Sequence, residues 1–285
     1  MFVGIGYLVL LGCVLGGFVA AGGHLEALMQ PLEVLMIAGA AIGAFVVANG
    51  GAPMKATIKA LPTVFKGSPY NKAFYMELFT LLFEILSKVR KEGLMSVEAD
   101  VENPEASPVF SKYPAVLHDH HVVEFICNYL RLMVGGNLNA FEIENLMDVE
   151  IETHHHEGEV PISAVKGLAD GLPAFGIVAA VMGVVHTMES VGAPPSELGM
   201  LIAHALVGTF LGILLAYGFV APLATILEHK LGDGTRVFQT IKVTLLASLN
   251  GYAPQVAVEF GRKVLTSTDR PSFKELEDHV KQAKK

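Results

Sequence analysis

An all-α polytopic membrane protein, with four transmembrane helices and a helical cytoplasmic domain, is the fold class that two features of this sequence predict. Four long apolar runs, residues 2–21, 34–48, 171–188 and 198–227, carry no Asp, Glu, Lys or Arg. Every Lys and Arg falls between Lys55 and Lys166 or between Lys230 and Lys285. A hydrocarbon core about 30 Å thick takes roughly 20 apolar residues as helix, because lipid offers backbone N–H and C=O groups no partner. Each run is therefore read as a span. Basic residues stay on the cytoplasmic side, so both basic blocks share that side and both termini lie inside. The short connections 22–32 and 189–197 hold Glu26, Glu189 and Glu197 but no basic residue, and are expected to face outward.

The chain divides accordingly into residues 1–49 (transmembrane helices 1 and 2), 50–168 (a cytoplasmic helical loop domain), 169–227 (transmembrane helices 3 and 4) and 228–285 (a cytoplasmic C-terminal tail). Ala20-Ala21-Gly22 resembles a signal-peptide cleavage site, but no basic segment precedes the first run, so it is read as a span. A mean hydropathy of +0.49 and 52% hydrophobic residues fit a polytopic protein with a folded polar portion. The net charge of −8 argues against nucleic acid as a partner, since neutralising phosphates takes a basic face. Cys13 lies in the first span and Cys127 in the loop domain, where the two are read as small buried hydrophobes that do not pair.

Within the loop domain the pattern is helical. Met76, Phe79, Leu82, Phe83, Leu86 and Val89 recur at helical spacing, Glu84 stands one turn before Lys88, and Gly93 offers a stop. A second helix is expected near 118–133, closed by Gly135-Gly136. The third starts at Asn139, where Asn139 and Glu142 have the spacing of a capping box, and continues past Ile151. Pro104, Ser107, Pro108 and Pro114 mark a turn-rich connector. The tail resumes as helix through Leu245 and Val256, breaks at Pro271 and ends in a charged helix at 273–284.

Candidates for chemistry are few. His154, His155 and His156 point about 100° apart on a helix and cannot all reach one ion, so they read as a solvated helix end rather than a metal site. No phosphate loop, nucleophile elbow or cysteine-pair zinc spacing is present, and no enzyme activity or cofactor is expected. No carboxylate sits inside a run; Glu33 comes nearest, at the outer end of the second. An ion path through lipid relies on an ionisable group at depth, so another subunit is expected to lend the acid. Small residues at four-residue spacing (Gly12/Gly16, Gly39/Gly43, Gly176/Ala180, Gly208/Gly212) allow close helix packing or simply reflect membrane composition. Pro173 opens the third run and Pro222 lies near the inner end of the fourth; each is either a kink or an ordinary helix boundary. Thr209 is functional only where it lines a pore, since a buried Thr otherwise bonds its own helix at i−4.

Residues 172–186, 205–218, 250–254 and 258–263, together with Tyr129-Leu-Arg-Leu-Met and Phe141-Glu-Ile-Glu, resemble the MotA family of flagellar motor stator subunits, within the MotA/TolQ/ExbB ion-channel superfamily. The resemblance covers essentially the whole chain. It implies a bacterial inner-membrane stator in which five copies surround two single-span MotB helices, whose aspartate is the missing acid. It further implies that Arg90 and Glu98 contact the rotor protein FliG, that Pro173 and Pro222 are conformational prolines, and that Thr209 lines the path beside that aspartate. Sodium-using members carry a Thr seven residues after the third-span proline. Ala180 stands there, so protons are the expected ion. Two alternatives remain at this point: a TolQ- or ExbB-like energiser of envelope or import machinery, and a metal protein built around His154, His155 and His156.

Overall fold

A computed structural model describes residues 2–283, the side chains of 281–283 excepted. In chain order the helices are α1 (Phe2–Ala20), α2 (Pro31–Asn49), α3 (Gly51–Ala60), α4 (Lys72–Glu92), α5 (Glu98–Glu102), α6 (Pro114–Leu117), α7 (His120–Gly135), α8 (Ala140–Glu189), α9 (Pro195–Ile213), α10 (Ala221–Leu249), α11 (Pro254–Val264) and α12 (Phe273–Ala283). A π-helical segment, Leu214–Val220, joins α9 to α10. No strand occurs among the described residues. Four helical stretches are long and apolar enough to cross a membrane: Phe2–Ala20, Leu25–Asn49, Ala140–Glu189 and Pro195–Leu249.

The chain forms two units. Residues 1–67 and 158–229 make a membrane unit, and residues 68–157 and 230–285 a loop-and-tail unit. In the membrane unit one cluster of buried apolar residues holds Ile37, Ala41, Leu172, Ala179 and Ala216, a set rich in small side chains, and Ala205 and Val207 of α9 are buried as well. No residue of α1 is buried; Tyr7 holds it to the π segment by donating to the Phe219 carbonyl (2.9 Å) and stacking on the Phe219 ring. Such a unit leaves its apolar side chains to lipid and to other helices.

In the loop-and-tail unit, large side chains fill a continuous core that includes Tyr75, Phe79, Phe125, Leu130, Ile241 and Leu245. Helix termini follow the local rules. Asn71 Oδ1 accepts from the N–H groups of Ala73 and Phe74 to start α4, and Gly93, at φ 86°, ends it. Asp119 accepts from the Val122 N–H at the start of α7, and Gly136, at φ 65°, closes it. The capping box at the start of α8 is reciprocal: the Glu142 carboxylate accepts from the Asn139 N–H (2.8 Å) and Asn139 Oδ1 from the Glu142 N–H (3.0 Å). Burial pushes the Cys127 thiol up to about 11, which keeps it an unreactive core residue.

Four local expectations are corrected. Lys88 does not pair with Glu84. It reaches the buried Asp100 (2.8 Å), which also accepts from the Ser107 hydroxyl (2.6 Å), while Glu84 takes Lys112 (3.0 Å). The more deeply buried carboxylate, Asp100, claims the cation over the half-buried Glu84 a turn away. The histidine run is not a helix end, because α8 continues through Pro161 and Pro173 to Glu189. The tail breaks before Val256, at Gly251 (φ 87°), so α10 and α11 are separate helices. Glu33 lies inside α2, in its first turn. Of the predicted last helix, Lys284 lies outside the described residues.

Candidate functional site

In the membrane unit, α8 and α9 cross backbone to backbone. A Cβ placed on Gly176 would come within 2.8 Å of the Gly208 carbonyl oxygen and 3.1 Å of the Gly212 Cα. A Cβ on Gly212 would meet the Leu172 carbonyl oxygen at 2.8 Å and the Gly176 Cα at 2.9 Å. Glycine is required at these positions by close approach. Lipid gives helices no hydrophobic reason to associate, so contact comes from letting backbones touch. Of the four small-residue pairs, Gly176/Ala180 and Gly208/Gly212 build this crossing, whereas Gly12, Gly16, Gly39 and Gly43 face open space within the chain.

Three sequence-predicted site residues collect at the crossing. Pro173 follows Leu172, whose carbonyl touches Gly212. The Ala180 backbone nitrogen lies 3.3 Å from a Cβ position on Gly208, which brings Ala180 beside the residue preceding Thr209. Thr209 is half-buried. The Thr209 hydroxyl has no hydrogen-bond partner among the described residues, whereas Thr187 on α8 bonds its own helix at Gly183 (2.9 Å). Thr209 is therefore available to whatever occupies this face. Pro222 is the second residue of α10, directly after the π segment. Proline has no N–H and its ring crowds the carbonyl four residues back. The wider π turn at Leu214–Val220 is the local backbone change that stands beside it.

One residue at this crossing was missed as a site. Glu33 is 8% exposed, and its Oε2 lies 2.8 Å from a Cβ position on Gly208. The signal was present: Glu33, Ile37 and Ala41 recur every four residues and are the buried residues of α2, so the carboxylate lies on the inward stripe.

The other predicted pair sits in the loop-and-tail unit. Arg90 is in the last turn of α4, where a cation faces the negative end of the helix, and Glu98 opens α5, where an acid faces the positive end. Both reach solvent, and they do not bond each other. Arg90 Nη1 donates to the Gly251 carbonyl, at 3.5 Å. Beneath them the Lys88–Asp100–Ser107 network ties the end of α4 to α5, which sets the spacing of the two charges.

The histidine run divides three ways. His156 faces Glu152 (3.6 Å), His155 meets Thr235 (3.0 Å), and His154 turns inward against His121 and Phe238. These three line no common point. Among the described residues no group of three or more His, Cys, Asp or Glu is placed to hold a metal ion. His154, His121, Glu124, Glu150 and Glu157 line a cavity of about 470 Å³. Burial and the neighbouring His121 push the His154 imidazole below its ordinary value.

Residues 4–93 match the family model for the Motility protein A N-terminal region, and residues 119–240 that of the MotA/TolQ/ExbB proton channel family. Motility protein A of Salmonella typhimurium is 56% identical over 99% of this chain and 95% of its own length; that of Escherichia coli is 56% identical over 100% and 96%. The fold is similar to a chain of the MotAB complex of C. jejuni (TM-score 0.79, 21% identity, 95% of this chain and 98% of that one). It is also similar to one of the Bacillus subtilis flagellar MotAB stator complex (0.74, 26%, 98% and 98%). With this identity over its whole length, the chain belongs to the Motility protein A family, a family of multi-pass inner-membrane subunits of the flagellar stator.

Proposed function

We propose that this chain forms the ring of a proton-driven flagellar stator: five copies surround two MotB helices, and proton passage turns the ring against the rotor protein FliG. The α8–α9 crossing is the observation that carries the ion-path part. It brings Ala180, the residue before Thr209 and the carbonyl before Pro173 to one closely packed place, with the Thr209 hydroxyl unpaired among the described residues. The aspartate of MotB supplies the titrating acid there. A hydroxyl at Ala180 would replace part of a sodium ion's hydration shell; a methyl does not, and a proton needs only an acid and water. Both termini and the loop-and-tail unit are cytoplasmic, because every basic residue lies there or at its membrane border.

One charge crossing about 150 mV releases roughly 3.5 kcal/mol, enough to bias a two-state helix assembly. Pro173, and Pro222 with its π segment, are the points within the apolar runs at which the helices lack a regular backbone bond and can change angle. Arg90 and Glu98 pass the motion to the rotor through transient exposed contacts, each worth about 0–1 kcal/mol. The four charge-free runs, with Arg90 and Glu98 both exposed, favour the motor over a TolQ-like energiser.

Two measurements test the reading. Arg90→Glu is expected to weaken or abolish swimming at normal membrane level; normal motility in that variant, with Lys91 also neutralised, removes the rotor contact. Swimming is expected to persist in sodium-free buffer and to stop with a protonophore, and the opposite pattern removes the proton.

A further inference from the structure

Glu33 is the one carboxylate on α2, and three helices converge on it. Its side chain is almost wholly enclosed by the described residues, and Oε2 is sealed from solvent with no hydrogen-bond partner among them. Its neighbours at the crossing are Gly208, Ala179 and Ala180, which bring no polar side chain. A Cβ position on Gly208 of α9 lies 2.8 Å from this oxygen and also meets Ala179 Cβ (3.2 Å) and the Ala180 N (3.3 Å) of α8. The carboxylate thus touches the crossing to which Ala180 and Thr209 belong. On α9, His204 stands one helical turn before Gly208.

A bare carboxylate buried without a partner is too costly to persist, so the site must hold a positive charge or a proton. Lys and Arg are absent from all three helices in this region, which leaves the proton or a passing cation. Ionisable groups at membrane depth mark ion pathways. A substitution at Gly208 would drive into this oxygen, so the glycine keeps the carboxylate seated as well as letting the helices touch.

We propose that Glu33 is a proton-binding station on the ion path, supplied by this chain in addition to the acid lent by its partner. This rests on the stator reading above. The carboxylate takes a proton from hydronium, forming an O–H bond and leaving water. That bond breaks again when water on the path accepts the proton. Each copy in a ring would carry one such station beside the α8–α9 crossing, where the first turn of α2 meets Gly208.

The test uses the full complex with MotB in motile cells and in proton-flux measurements on vesicles, over a range of external pH. Glu33→Gln keeps the shape and removes the proton site. Its flux and swimming speed should fall about tenfold, the change that about 1.4 kcal/mol at the limiting step produces, at normal membrane level and normal co-purification of MotB. Glu33→Asp should restore most of the flux with a displaced pH profile. Glu33→Gln with wild-type flux across the whole pH range overturns the proposal. So does loss of flux accompanied by loss of MotB, rescued by an apolar Glu33→Leu, because the role is then packing. A wild-type complex that passes no protons at any pH would instead sink the stator reading itself.

Discussion

Where α8 meets α9, the contact includes Gly176, Gly208 and Gly212, and a single carbon added at Gly176 or Gly212 would strike a carbonyl oxygen and a Cα. Where α4 meets α11, Phe79 is fully buried and lies against Gly261, inside a core that also holds Tyr75, Leu82 and Ile85. The two regions are both all-helical, yet one is held by removing side chains and the other by filling space with them. The solvent accounts for the difference. Water rewards apolar burial at about 25 cal/mol per Å², while lipid gives no such reward and leaves only close backbone packing and internal hydrogen bonds. A membrane unit built that way keeps its outer faces apolar and open, as Ile177, Val181, Val185 and Leu206 are, and so retains surface for further helices.

The contrast can be broken in four places. Phe79→Ala should cost about 3–5 kcal/mol, because it empties a buried aromatic site; denaturation of the purified chain in detergent, followed by protease sensitivity of the loop-and-tail unit, checks this. Gly176→Val should cost about 1–3 kcal/mol by overpacking the crossing, with ion flux lost even where the protein still reaches the membrane. A Gly176→Val protein as stable and active as the parent would mean that the crossing is not what holds α8 to α9.

His154 offers a smaller, pH-dependent effect in the loop-and-tail unit. Its imidazole is held below the ordinary value by burial and by His121, partly offset by Glu157 and Asp119. In the window between the depressed value and the ordinary one, about 6.5, the unfolded chain binds the extra proton. The stability that His154 contributes is therefore present above about pH 6.5 and is lost as pH falls through that window. Thermal melts from about pH 7.5 down to about pH 5 should show the decline, and His154→Phe should flatten it. Salt-bridged acids do not confuse the reading: Glu275, held down to about 2 by Lys72 and Ser272, acts only in a more acid range. The smallest effect is expected at Gly39, which faces open space within the chain. Gly39→Ala should change the stability of the isolated chain by less than about 0.5 kcal/mol. Lost motility at unchanged stability would then identify that face as one covered by another helix of the stator.

Much of the fold is legible in short stretches of residues. The four spans follow from charge-free length, α4 from helical spacing between Asn71 and Gly93, and the start of α8 from the Asn139–Glu142 box, because each of these is a local property. The site is half legible. Arg90, Glu98, Pro173, Pro222, Ala180 and Thr209 come from resemblance, and only Pro173, Ala180 and Thr209 collect at the α8–α9 crossing. Glu33 carries a readable signal, its four-residue spacing to Ile37 and Ala41, but a charge beside an apolar run is ordinarily assigned to its edge.

By itself, then, the sequence determined which segments enter lipid, which face polar solvent and where most helices begin, since hydropathy, charge and capping act over a few residues. Partner choice was decided by tertiary structure alone: Lys88 with Asp100 rather than Glu84, two glycine pairs used within the chain and two left open, and a carboxylate of α2 set against Gly208 of α9. Those outcomes depend on groups far apart in the chain arriving within a few ångströms of each other, where burial makes an unpaired charge too costly to leave alone.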